Sequence, residues 1–187
     1  MKEIKNALLM FTVFTVILGI IYPVVITGIS QVLFPYQANG NLITENEKVI
    51  GSELIGQDFT SPIYFHGRPS AIGYDSGTSG GSNLGPTNQK LVDQIEERVQ
   101  LIRIQESLSE NSTVPADLVL SSGSGLEAYI FVDSARLQVP RVAKARGVTE
   151  KEIETIIENN IEDSWLGTGT SMVNVLKLNI ALDNVRR

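Results

Sequence analysis

Residues 7–34, ALLMFTVFTVILGIIYPVVITGISQVLF, carry no charged side chain, whereas the rest of this 187-residue chain is polar and acidic. A helix from Ala7 to Ile29 would measure about 35 Å, enough to cross a hydrocarbon core about 30 Å thick. Lipid offers the backbone no hydrogen-bond partner, so a single segment entering it must be helical. Lys2 and Lys5 precede the run, and the first charge after it is Glu45. That asymmetry predicts a cytoplasmic N-terminus at residues 1–6, a transmembrane helix at 7–34 and an extracytoplasmic domain at 35–187 of a cell-membrane protein. A cleaved signal peptide has a shorter apolar region followed by a small-x-small site. Pro35-Tyr36-Gln37-Ala38 supplies no such site, and the segment reads as a retained anchor.

The anchor is not uniform around its axis. Advancing about 100° per residue from Thr12, the residues Thr12, Thr15, Gly19, Pro23, Thr27 and Ser30 fall within about 60° of one line. Met10, Phe14, Ile17, Ile21, Val24 and Val25 lie opposite. Small and weakly polar residues let membrane helices approach closely, so the first set is expected to pack on a partner helix and the second to face lipid. Pro23 removes one backbone bond and is expected to kink the helix.

Net charge is −6. Lys2, Glu3 and Lys5 together contribute +1, which leaves about −7 on the exported part. Such a domain is not built to hold nucleic acid or anionic lipid headgroups. Zero cysteines exclude disulfides, thiolate metal sites and cysteine nucleophiles, and a single histidine makes a transition-metal site depend on carboxylates. About 150 residues without staples suffice for one self-supporting core.

Downstream of the anchor, Asn39–Thr44 is turn-rich and Val49–Phe59 reads as extended, broken at Gly51 and Gly56. The Gly/Ser-rich stretch DSGTSGGSNLGP at 75–86 is a loop by composition, expected to be ordered, with Asn83 and Asn88 as candidates to satisfy buried polar groups. Pro86 can open a helix in which Leu91, Ile95, Val99 and Ile102 recur at helical spacing up to about Leu108. Asp117–Leu120 is a short strand-like apolar run before a turn at Ser121–Gly125. A helix is predicted from about Asp133, interrupted at Pro140 and stopped at Gly147. Thr149-x-x-Glu152 is a capping box ahead of Ile153, Ile156 and Ile157. VNVLKLNIALDNV at the end reads as a strand leading into a helix. Several helices with few short strands give an α+β fold: one N-terminal transmembrane helix, then one extracytoplasmic domain.

Two motif matches lack their context. Gly123-Ser124-Gly125-Leu126-Glu127-Ala128 matches G-x-G-x-x-A, but Tyr129–Val132 after it reads as extended, where the dinucleotide fingerprint needs a helix. Gly77-Thr78-Ser79-Gly80-Gly81 matches the G-x-S-x-G elbow, yet the only histidine, His66, precedes it and reads as a structural hydrogen-bonding residue. A membrane-tethered serine hydrolase using Ser79 or Ser82 is the alternative this motif keeps open. No G-x-x-x-x-G-K-[ST] phosphate loop exists, and Asn111-Ser112-Thr113 reads as a coincidental sequon.

Three other stretches occur together. The first is Tyr64-Phe65-His66-Gly67-Arg68-Pro69-Ser70-Ala71, continuing through Ser79, Gly80, Gly81, Ser82, Asn83, Leu84, Gly85, Pro86, Thr87 and Asn88. The second is Val114-Pro115-Ala116-Asp117-Leu118-Val119 with Ser122-Gly123-Ser124-Gly125-Leu126. The third is Arg141-Val142-Ala143-Lys144-Ala145-Arg146-Gly147 with Val173-Asn174-Val175-Leu176 and Leu178-Asn179. From the anchor to the C-terminus the chain resembles KdpC, the C subunit of the Kdp potassium-transporting ATPase of bacteria and archaea. The resemblance implies a single-span, non-catalytic accessory subunit without a cofactor, supporting assembly beside a channel-like A subunit, a P-type ATPase B subunit and a small F subunit. It also implies a position outside, near the ion entrance of the A subunit. A nucleotide-affinity role proposed for the family conflicts with the topology read above, because ATP is cytoplasmic. Where the family has Asp-Pro-His after Ser-Gly-Ser-Gly-Leu, this chain has Glu127-Ala128-Tyr129.

Overall fold

The computed structural model describes residues 2–163 and 169–185, so residues 164–168 and 186–187 of the expected domain lie outside the described part. Two compact units divide the chain, residues 1–50 and 51–187.

The first unit is dominated by the anchor, a helix spanning Lys2–Leu33 with mean hydropathy 2.5 in its most apolar window. It comprises α1 (Lys2–Val16), a π-helical turn (Ile17–Ile21) and α2 (Tyr22–Leu33). The wide turn has a local cause. Pro23 has no N–H for the carbonyl of Gly19, and its ring would strike that carbonyl in a regular α-helix. The preceding Tyr22 N–H instead reaches back five residues to Ile17 O, which opens the turn. An extra residue in one turn sets everything beyond it back by about 100°. With that setback, Thr15, Gly19, Pro23, Thr27 and Ser30 span about 60°, with Thr12 at the edge. Val24 moves from the far side to the flank, while Val25 stays opposite. The Thr12 hydroxyl bonds back to Leu8 O at 2.9 Å, within the helix.

A short α3 (Pro35–Ala38) follows, then a hairpin of β1 (Leu42–Glu45) and β2 (Lys48–Ser52). Its two-residue turn places Asn46 and Glu47 at φ 50° and 64°. That is the left-handed pair of a type I′ turn, whose twist matches the flanking strands. The sequence shows asparagine there without the usual glycine, and the hairpin was not legible.

In the second unit a long irregular stretch, residues 53–88, precedes α4 (Gln89–Gln105) and α5 (Ala116–Val119). Then come β3 (Tyr129–Phe131), α6 (Val132–Leu137), α7 (Val139–Arg146), α8 (Glu150–Asn159), β4 (Ile161–Glu162), β5 (Met172–Asn174) and α9 (Val175–Asn184). The strands form one antiparallel sheet in the order β3-β5-β4, with Ile130 opposite Val173 and Ile161 opposite the same residue. Val173 is thus the centre of the sheet. It is fully buried, with Ile130, Val142, Ile153, Ile157, Leu178 and Leu182 around it from the sheet and helices α7–α9. The fold is α+β: an N-terminal apolar helix followed by a mixed helix-and-sheet domain.

Several boundaries differ from the expectation for identifiable reasons. The run at Asp117–Leu120 is the turn of helix α5, not a strand, because Asp117 bonds the Phe131 N–H at 2.9 Å and the Ser134 hydroxyl at 2.5 Å. The polar side chain, not the apolar run, decides that conformation. Helix α4 does not open at Pro86: Asn88 caps it by accepting the Lys90 N–H at 3.0 Å. The helix ends at Gln105 rather than Leu108, because Ser107 adopts a left-handed φ of 53°. The break near Pro140 falls two residues before its ring, at Gln138, which leaves proline in the first turn of α7 where its missing N–H costs nothing.

Candidate functional site

The three sequence stretches converge on the irregular segment 53–74. This segment has almost no secondary structure, yet Phe65 at its centre is fully buried in the core. Its backbone groups must find partners, and side chains supply them. The Asn179 amide of α9 accepts the Phe65 N–H at 2.8 Å and donates to the Phe65 carbonyl at 3.0 Å. Gln138, between α6 and α7, does the same for the next residue: it accepts the His66 N–H at 2.8 Å and donates to the His66 carbonyl at 3.1 Å. Two amide side chains therefore stand where a neighbouring strand would.

Arginines of α7 complete the pairing. Arg141 donates from Nη1 to the carbonyls of Pro62 and Tyr64 at 2.7 and 2.9 Å, and from Nη2 to Gln138 Oε1 at 2.7 Å. Its Nε holds Glu106 Oε1 at 2.8 Å, with only 9% and 4% of the two side chains exposed. Arg146 donates to the Ile63 carbonyl at 2.7 Å, lies 5.1 Å from the Tyr64 ring centroid and pairs with Asp183 at 2.8 Å. Asn174 reaches the Glu53 carbonyl at 2.8 Å. Helical periodicity does not flag Gln138 or Glu106. The available signal for Gln138 was an amide set among the apolar residues Ala135, Val139 and Val142.

The signature loop folds back onto this body through its first three residues. The Gly80 N–H and the Ser79 hydroxyl both donate to the Ser124 carbonyl, at 2.8 and 3.2 Å. A Cβ on Gly81 would sit 3.2 Å from the Gly123 carbonyl, which explains the small residue. Gly125, at φ +69°, faces Gly80 O and Ile72 across a gap that admits no side chain. Ser70 caps the assembly by donating to the Gly125 carbonyl at 2.7 Å. The G-x-G-x-x-A motif is thus a packing surface for the loop, preceded by a helix and followed by a strand, the reverse of the dinucleotide arrangement. Ser82, Leu84, Gly85, Pro86 and Thr87 carry the chain from there to the α4 cap. Asn83 is exposed at φ 54° and Asn88 is an exposed cap, so within this chain neither satisfies a buried group. The anchor residues Thr12, Thr15, Gly19, Pro23 and Thr27 belong to the other compact unit.

A cleft of about 360 Å³ lies between segment 58–74 and α4, lined by Asp58, His66, Arg68, Tyr74, Arg98 and Glu106, among others. Its groups are tuned by burial. Desolvation and the Arg141 charge push His66 below its ordinary value, so at neutral pH the ring is neutral and Nε2 stands 3.1 Å from the Ser61 carbonyl. Desolvation pushes Tyr74 up to about 12, and its hydroxyl donates to the Arg68 carbonyl. Desolvation also raises Glu106, against the lowering by Arg141. Among the described residues, the buried side-chain atoms left without a partner are Arg68 Nε, Arg103 Nε and Glu106 Oε2. The hydroxyl of Ser79 and the ring of His66 are each bonded to a backbone carbonyl, and not to one another. At the departure from the family pattern, Glu127 caps its own strand by accepting the Tyr129 N–H at 3.2 Å, and the Tyr129 hydroxyl reaches Glu162 at 3.1 Å.

Comparison with known proteins adds a common descent to this geometry. The family model described as "KdpC: K+-transporting ATPase, c chain" matches residues 4–184. A relative from Mycobacterium tuberculosis, named potassium-transporting ATPase KdpC subunit, is 48% identical over 187 residues, covering 98% of this chain and 99% of the relative. Relatives of the same name from Caldanaerobacter subterraneus and Koribacter versatilis are 46% and 43% identical, covering 97% and 99% of this chain and 94% and 96% of theirs.

Proposed function

This chain belongs to the KdpC family, the c chains of K+-transporting ATPases, and we propose that it is a non-catalytic accessory subunit that supports assembly and stability of a high-affinity, ATP-driven potassium importer. In this reading its partners are a channel-like A subunit, an ATPase B subunit, a small F subunit and membrane lipid. Residues 1–6 stay in the cytoplasm, 7–34 span the plasma membrane and 35–187 lie outside, near the ion entrance. Direct contact with ATP does not fit that orientation.

The observation that carries the proposal is how the polar side chains are used. Arg141, Arg146, Asn174 and Asn179, charged and amide groups of the family stretches, and the nearby Gln138 all hold backbone. A scaffold needs that arrangement; a hydrolase needs a nucleophile bonded to a base. The test is affinity purification of the tagged chain from membranes of cells grown at low potassium. Recovery with large membrane subunits is expected, and recovery alone, with esterase activity lost in Ser79→Ala or Ser82→Ala, would favour the hydrolase.

The anchor makes a second expectation. A Cβ on Gly19 meets nothing within 4 Å beyond its own helix backbone, so a larger residue there disturbs no tertiary contact within this chain. Gly19→Leu is expected to reduce co-purification by about fivefold, equivalent to about 1 kcal/mol of helix packing. Val25→Leu, on the opposite side of the re-phased helix, should leave recovery unchanged. Equal recovery of both variants would remove the packing face formed by Thr12, Thr15, Gly19, Pro23 and Thr27.

A further inference from the structure

Helix α4 is held differently from the other long helices of its unit. Over 17 residues none is buried, whereas α8 buries Ile153, Ile156 and Ile157 and α9 buries five residues. Its inward residues Leu91, Ile95, Val99 and Ile102 are only half-buried, and its main helix contact is the short α5. Polar clips do the rest. Arg98 donates to the Val119 carbonyl at 2.8 Å, Arg103 to the Ser112 carbonyl at 3.0 Å, and Glu106 takes the Arg141 Nε. The chain on either side is irregular, and each side contains a non-glycine residue in the left-handed region, Asn83 before and Ser107 after. A left-handed conformation costs free energy at a non-glycine residue, so a rotation that leaves it relieves strain at either end of the helix. The cleft beneath is bounded on one side by α4 itself, through Arg98, Leu101, Ile102 and Gln105.

The clip at the C-terminal end is the weak one. Glu106 is the C-cap of α4, so its carboxylate sits where the helix dipole is negative. It is buried, it has one charged partner, and its second oxygen has none. We propose that α4 is a hinged arm, latched over the cleft by the Glu106–Arg141 pair, which swings as one unit between the irregular segments 82–88 and 106–115. Opening exposes the 58–74 wall and the half-buried face of α4.

The latch carries a pH dependence with a definite sign. The charged and titratable groups that share a cleft wall with Glu106 are Arg141 and Lys144 of α7, Asp58, His66, Arg68 and Tyr74 of the irregular segment, and Arg98 of α4 itself. Burial makes the latched Glu106 hold its proton more tightly than an exposed carboxyl does. The closed arm is therefore favoured below the ordinary carboxylate range, and that extra stability is lost as pH rises through the raised value.

Amide hydrogen exchange of the full-length chain in detergent micelles, read by mass spectrometry, tests this directly. After correction for intrinsic rates, amides of Gln89–Gln105 are expected to exchange together, at least about tenfold faster than those of α8 and α9. Their protection should be higher at pH 4 than at pH 8, and Glu106→Gln should abolish that difference. Protection of α4 within twofold of α8 in the wild-type chain overturns the arm, whatever the variant does. A pH response that survives in Glu106→Gln overturns the latch.

Discussion

Arg141→Met is expected to lower the stability of the domain by about 3–5 kcal/mol, the range for breaking one half of a buried ion pair. Melting should fall by about 10 °C or more. Three acceptors lose their donor at once, the carbonyls of Pro62 and Tyr64 and the Glu106 carboxylate, and Gln138 Oε1 keeps only the His66 N–H. Methionine fills similar volume, so the loss reports hydrogen bonding and charge rather than a cavity. Arg141→Lys should recover little, because an ammonium cannot reproduce the planar fork that reaches both carbonyls while holding the carboxylate. Lys144→Met, one turn along the same helix and exposed, should change stability by no more than about 0.5 kcal/mol. Circular dichroism melts of the three variants decide it, and an Arg141→Met domain as stable as wild type would mean that segment 62–66 is held by packing alone.

Gly56→Ala should be almost as damaging, at about 3 kcal/mol. The Gly56 N–H donates to the Leu126 carbonyl at 2.9 Å, and a Cβ there would lie 2.2 Å from the Glu127 carbonyl oxygen and 2.8 Å from its carbon. Those are backbone atoms, and no rotamer change relieves the clash. Segment 53–60 would have to lift away from Leu126–Glu127, breaking the bond from the Gly56 N–H to the Leu126 carbonyl. Gly123→Ala is the control, since its Cβ meets nothing within 4 Å. Identical melting temperatures for the two alanine variants would contradict the close approach.

Where the sequence carries a local rule, it was readable. The uncharged run gives the anchor helix, the Thr149–Glu152 box closes reciprocally, with bonds at 2.8 and 3.3 Å, and Gly147 ends α7 at φ 64°. The strand-to-helix switch near residue 174 is there, with the Asn174 side chain accepting the Lys177 N–H at 3.1 Å. What failed to show was non-local. Helix α5 exists because of bonds from Asp117 to residues 14 and 17 positions away. The π turn depends on a proline acting four residues back, where a straight-helix count places it only as a kink. The site resisted most of all: a run such as Ile63–His66 looks like a strand waiting for a neighbour, and nothing in its own composition says that the neighbour is made of side chains.

That substitution of side chains for a strand has a consequence for how the domain is made. Phe65 and His66 find their partners 114 and 72 residues further along the chain. A strand in a hairpin can zip from its turn, but here each contact closes a long loop, and long-range closure slows folding. The pairing is complete only after α9 has been synthesised, so the segment that later lies at the centre of the domain is exposed throughout synthesis. Loss of residues 178–187 would therefore undo the chain near residue 65, far from the cut in sequence, as well as the core beside it.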